Sequence, residues 1–214
     1  MGIKINQYPN ESGAFNREDY YDVDAYVSAG VYQSKKQKGG VIQDALGYGL
    51  FSQTNSVTVG NTTTETTIVG TGEGSLTIPA NYFKKGMSFH AKFGGNISSL
   101  NNQAFKINIY EDANLIATTG DITLPTITAK AWELELDFVV QEIGASGVAR
   151  LVTSGQFIYN KDSNNIFEGS MFNSINTTTF NTTTTATLDV KVKWGEAHVG
   201  NTVTSSMFYL TKVK

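Results

Sequence analysis

The sequence predicts an all-β protein: an antiparallel jelly-roll sandwich of about eight strands, preceded by an irregular N-terminal arm. Three observations lead there. From residue 76 onward, apolar side chains recur at every second position, the period of a strand with one buried and one wet face. Clusters of Gly, Asn, Asp and Ser separate these runs, as turns do. Thr and Asn stand where helical proteins carry Ala, Glu and Lys, and strands wet on one face belong to antiparallel rather than parallel sheets.

Residues 1–53 are expected to form the arm. They are rich in Tyr, Asp, Gly and Lys, and their few apolar residues cannot build a core alone. The piece from Val41 to Gly47 predicts one short helix closed by Gly47. Residues 54–75 are rich in Thr and Gly, and Val57, Val59 and Ile68 among them predict a first strand followed by a loop.

The sandwich is expected to occupy residues 54–214. Its strands follow from the apolar runs Phe89-Ala91-Phe93, Phe105-Ile107-Ile109, Trp132 to Val140, Leu151 to Tyr159, Leu188 to Trp194, and the segment around Phe208 and Leu210. Turns are expected at Gly94-Gly95-Asn96, Glu111 to Asn114, Gly144 to Gly147, Asn160 to Asn165 and Gly195-Glu196. Val139, Val152, Ile158, Phe208 and Leu210 are apolar on faces that otherwise read as wet, which marks them as candidates for a subunit interface.

Composition argues against several function classes. The chain has no cysteine, so disulfides, thiolate nucleophiles and Cys-based zinc sites are excluded. Net charge is -3, and the longest basic stretch is Lys35-Lys36-Gln37-Lys38, so no nucleic-acid partner is expected. No apolar run approaches the ~20 residues that span a bilayer, and the first residues lack the apolar core of a signal peptide. The expected product is made in the cytoplasm and has no membrane partner.

Candidate chemistry is sparse. There are two histidines, His90 and His198, and neither belongs to a Gly-x-Ser-x-Gly elbow or a His-x-x-x-His pair. Glu133, Glu135 and Asp137 share one face of a strand, where they read as a solubilising surface paired with Lys191 and Lys193 across a sheet. The acidic segment Glu18 to Asp24 reads as a polar arm, and Gly70 to Gly74 lacks the Lys and helix start of a phosphate cradle. The expectation is a non-enzymatic protein with no cofactor and no metal.

Most aromatics fall on apolar faces and belong to the core. Tyr20, Tyr21, Tyr26, Tyr32 and Tyr48 instead fall in the arm, which suits a protein–protein contact. The segments Met1 to Asn10, Asp19 to Asp24 and Tyr32 to Gly39 together resemble the N-terminal attachment segment of bacteriophage fibre and appendage proteins, with Tyr8 where those proteins usually carry Leu. The Thr- and Asn-rich strands of the C-terminal part are similar in style to the trimeric jelly rolls of phage head fibres and tail appendages, a fold shared with tumour-necrosis-factor-like domains.

This resemblance implies a virion structural protein: a head fibre, decoration or minor capsid protein. It would dock on other virion proteins through Ile3, Ile5, Tyr8, Tyr20, Tyr21, Val23, Tyr32, Lys35 and Lys36. It also implies a homotrimer. The alternative expectation is a receptor- or glycan-binding module of a tail appendage, with a host-surface glycan as partner.

Overall fold

The structure, a computed structural model, describes residues 4–6, 20–28, 31–38, 49–161 and 166–214. Every regular element among the described residues is a strand. The chain divides into two compact units, Met1–Tyr48 and Gly49–Lys214.

The first unit contains β1 (Lys4–Asn6), β2 (Tyr20–Ser28) and β3 (Val31–Lys38), paired antiparallel in that order. An irregular arm was expected here, and the described part is a small sheet instead. Its register sets Lys4 opposite Asp24 and Asp22 opposite Lys36. The helix expected over 41–47 lies outside the described residues.

The second unit is a sandwich of two antiparallel sheets. It begins with the short strands β4 (Gly49–Gln53), β5 (Val57–Gly60), β6 (Thr66–Thr67), β7 (Gly72–Gly74) and β8 (Thr77–Ile78). The long strands are β9 (Ser88–Ser99), β10 (Gln103–Glu111), β13 (Ile127–Glu142), β14 (Arg150–Asn160), β15 (Phe167–Asn176), β16 (Ala186–Trp194) and β17 (Thr202–Lys212). Between β10 and β13 come β11 (Asn114–Thr118) and β12 (Ile122–Leu124). The large sheet runs β15-β14-β13-β9-β17-β4-β7, with β5 also on β17. The small sheet runs β11-β10-β16-β6, with β12 on β10 and β8 on β16.

Two connections cross between the layers side by side. Strand β9 leads to β10 and β16 leads to β17, while β9 pairs with β17 and β10 with β16. Paired crossings of this kind wind a ribbon into a jelly roll. Strands β13, β14 and β15 then add as a meander beyond β9.

The core lies between the sheets, where the inward residues of each strand meet. Phe93 of β9 stacks on Phe208 of β17 at 3.9 Å between ring centroids. Phe105 of β10 packs on Trp194 of β16 at 4.8 Å. Trp132 joins this cluster through Phe157, and its indole N–H donates to the Thr204 carbonyl at 3.0 Å, so the buried ring leaves no polar atom unpaired.

Three expectations change. The sandwich starts at residue 49 rather than 54, because Phe51 of β4 is buried against Phe208. Gly94-Gly95-Asn96 is not a turn, because β9 runs straight through it. Phe208 and Leu210 do not lie on a surface: they are 1% and 3% exposed. A bulge between Ser205 and Met207 inserts one extra residue into β17, which flips the alternation. Val203 and Ser205 point inward before the bulge, Phe208 and Leu210 after it.

Candidate functional site

In the first unit, Ile5, Tyr20, Tyr21, Val23, Tyr32, Lys35 and Lys36 all lie on strands. The register aligns Val23 with both Ile5 and Lys35, and brings Lys36 opposite Asp22. Ile3 and Tyr8 lie outside the described residues.

The outer face of the large sheet carries a ladder of ion pairs. Strand β13 presents Glu133, Glu135 and Asp137, and its hydrogen-bonded neighbour β9 presents His90 and Lys92. The Lys92 ammonium donates to Glu133 at 2.8 Å and to Glu135 at 2.9 Å. His90 Nδ1 lies 2.9 Å from Asp137 Oδ1. The carboxylates therefore do not pair with Lys191 and Lys193, which sit on β16 in the other sheet.

The hydrogen bonds to Glu133 and Glu135 hold the Lys92 ammonium above its ordinary value. The Lys92 ammonium in turn holds the Glu135 carboxyl below its own. Both groups stay charged across neutral pH, so neither is poised for general acid–base work there. The second histidine, His198, accepts the Gly200 backbone N–H at 2.9 Å within its own turn.

Toward β15 the same face becomes apolar. The register lines up Val139, Val152 and Ile175 in one row across β13, β14 and β15. Ile158 lies two rungs beyond Gln156 on the same face, half-buried. Three of the five expected interface residues therefore share the outer face, and the structure adds neighbours that the sequence did not mark. Phe167, Met171 and Ile175 are 63%, 78% and 54% exposed.

Strand β15 thus turns Phe167, Met171 and Ile175 toward solvent and only one large apolar side chain, Phe172, toward the core. Its inner face is mostly polar because it hydrogen-bonds rather than packs. The Ser174 hydroxyl donates to the Ile116 carbonyl at 3.0 Å, and the Asn176 amide to the Leu115 carbonyl at 3.3 Å. Tyr159 donates to Glu168 at 2.9 Å. β15 also forms the end of the large sheet, and among the described residues its outer backbone edge has no strand partner.

On the small sheet, a groove of about 540 Å³ is lined by Thr63, Lys106, Asp121, Lys193 and Trp194. Lys106 is paired to Asp121 at 2.9 Å. Trp194 is fully buried, so it offers no ring face on which a sugar could stack. Among the described residues no group of three or more His, Asp or Glu is gathered to hold a metal ion.

Inside the sandwich, at the end where β10 turns into β11, lies an apolar cavity of about 60 Å³. Glu111 forms part of its wall, and burial pushes its carboxyl up to about 7. Sequence reasoning placed Glu111 in a turn. The signal that marks it is its phase, since it follows Phe105, Ile107 and Ile109 on the inward side of β10.

No protein-family model matches the chain, and no curated protein matches its sequence.

Proposed function

We propose that this chain is a non-enzymatic structural module of a bacteriophage particle, a head fibre, decoration or minor capsid protein. In this reading Met1–Tyr48 attaches it to other virion proteins and the sandwich Gly49–Lys214 is displayed as a homotrimer. The edge strand β15 carries the reading. A free β edge bordered by Phe167, Met171 and Ile175 is an aggregation liability in an isolated domain, and it is the expected design where another subunit covers that face. The separate packing of the two units supports the division of labour. So does the closed ion-pair ladder of Lys92, Glu133 and Glu135, which suits a stable surface better than proton transfer.

The test is a chain beginning at Gly49. It should fold with the same near-UV circular dichroism as the sandwich in the full chain, because the buried cluster from Phe51 to Leu210 lies within it. Mixed with particles lacking the protein, it should fail to incorporate while the full chain succeeds. Incorporation at the full-length level would sink the assignment of docking to the first unit.

A further inference from the structure

Lys106 of β10 and Lys193 of β16 stand directly opposite each other. Their chain neighbours Phe105, Ile107, Val192 and Trp194 are buried, so both ammonium groups share the outer face of the small sheet. Like charges in that position repel. The rungs further along this face are balanced within the chain. Asn108 and Tyr110 donate to the Glu65 carboxylate at 2.6 and 3.1 Å. Lys191 lies over the Tyr110 ring at 4.7 Å and 3.7 Å from Asp189. At the lysine pair the balance fails. Lys106 has Asp121, and Lys193 has no anionic partner among the described residues. Beside the lysines lie two of the smallest residues. Gly195 donates its N–H to the Ala104 carbonyl at 2.8 Å, and a Cβ on Gly195 would lie 2.8 Å from that of Ala104. This low floor beside two ammonium groups makes the groove of about 540 Å³, within the ~300–1,000 Å³ of small-molecule sites.

We propose that this groove binds a hydroxylated carboxylate, the chemistry of an acidic sugar, with the carboxylate held between Lys106 and Lys193. Charge decides the class. The two ammonium groups and Asp121 leave one positive charge, which a monoanion neutralises and a phosphate dianion exceeds. The Asp121 side chain is 71% exposed, so it keeps acceptor sites beyond those facing Lys106 and can take hydroxyl donors. Thr63 adds a hydroxyl of its own to the lining. A neutral sugar is not held, because the buried Trp194 presents no ring face. An acidic peptide would need pockets for its alternate side chains, and the floor offers only Ala104 and Gly195. The site is independent of the assembly reading, since Lys106 and Lys193 lie on the small sheet and β15 on the large one.

The experiment uses the full chain at pH 7 and low salt and follows the backbone amides of Lys106, Lys193 and Gly195 by NMR during titration with sodium D-glucuronate. Saturable shifts are expected, and binding should weaken at least threefold when sodium chloride is raised to physiological ionic strength, since exposed charges are screened. Lys193→Gln should weaken binding at least fivefold with an unchanged unfolding midpoint, because the side chain is exposed. Glucose should not bind, and acetate should bind at least fivefold more weakly than glucuronate. Asp121→Ala should narrow that gap, because acetate loses a repelling neighbour, whereas glucuronate loses a repelling neighbour and an acceptor together. Absence of saturable shifts, binding unchanged by Lys193→Gln, or a gap unchanged by Asp121→Ala overturns the proposal. So does glucose or acetate binding as well as glucuronate, or inorganic phosphate or Nα-acetyl-aspartate methylamide binding more tightly.

Discussion

Glu111 stands in phase with Phe105, Ile107 and Ile109, so the geometry of β10 carries its side chain into the core whether or not it is charged. Burial favours the neutral acid, and the neighbouring Asp112 adds to the effect. Of the other residues around the cavity, Tyr110 titrates only at high pH, its hydroxyl pushed up by burial and by the Glu65 carboxylate it donates to. The sign of the pH dependence follows. Glu111 binds its proton more tightly in the folded chain than in the unfolded one, where 4.5 applies. Stability from this residue is full below that value and falls as pH rises toward about 7. Between pH 5 and pH 8 the loss is at most about 2.5 kcal/mol, because pH 5 already lies above 4.5. Urea unfolding at pH 5 and pH 8 checks it: Glu111→Gln should shrink the difference between the two by that amount. An unchanged difference would show that the carboxyl is solvated.

Single strands explain where periodicity misleads. Gly94 and Gly95 read as a turn, yet β9 needs them because the bulge of β17 presses against its backbone there. A Cβ on Gly95 would lie 1.8 Å from the Thr204 carbonyl oxygen. A Cβ on Gly94 would meet the Met207 methyl at 3.2 Å, the far end of a flexible side chain. Gly95→Ala should therefore cost about 2–3 kcal/mol and Gly94→Ala well under half of that, read from chemical unfolding. Equal costs would mean that the crossing of β9 and β17 is looser than the structure has it. Strand β15 misleads in the opposite way. Phe167, Met171 and Ile175 face out, while Ser174 and Asn176 reach β11 and Phe172 alone packs inward, so no apolar stripe announces a buried face. Gly155 on β14 hides a similar contact, because the ring of Phe172 occupies the space its Cβ would need.

At the scale of the whole molecule, the row Val139–Val152–Ile175 and the exposed Phe167 and Met171 set one side of the sandwich apart from the ion-pair ladder beside it. If that side is where copies meet, light scattering of the full chain should give three times 23.2 kDa. Met171→Asp would place a charge into the contact and should return the chain to the single-chain mass, with an unfolding midpoint that no longer rises with protein concentration. A single-chain mass for the unmodified protein would remove the trimer and leave assembly to the particle.

The sequence by itself determined the antiparallel sandwich, most of its long strands and most of its core. Alternation of apolar and polar residues is a local property, and burying one face of each strand has few other solutions. It also led to the ladder residues Glu133, Glu135 and Asp137, as one wet face of one strand. What the tertiary structure decided was which strands are neighbours and where alternation breaks. Lys92 rather than Lys191 meets the carboxylates because β9, far away in the chain, lies beside β13. Phe208 and Leu210 turn inward because a single extra residue in β17 shifts the phase. Glu111 becomes a buried acid because Phe83, Phe138 and Phe180 close around it from distant parts of the chain. Pairing, bulges and desolvation depend on partners remote in sequence, and periodicity within one strand carries no record of them.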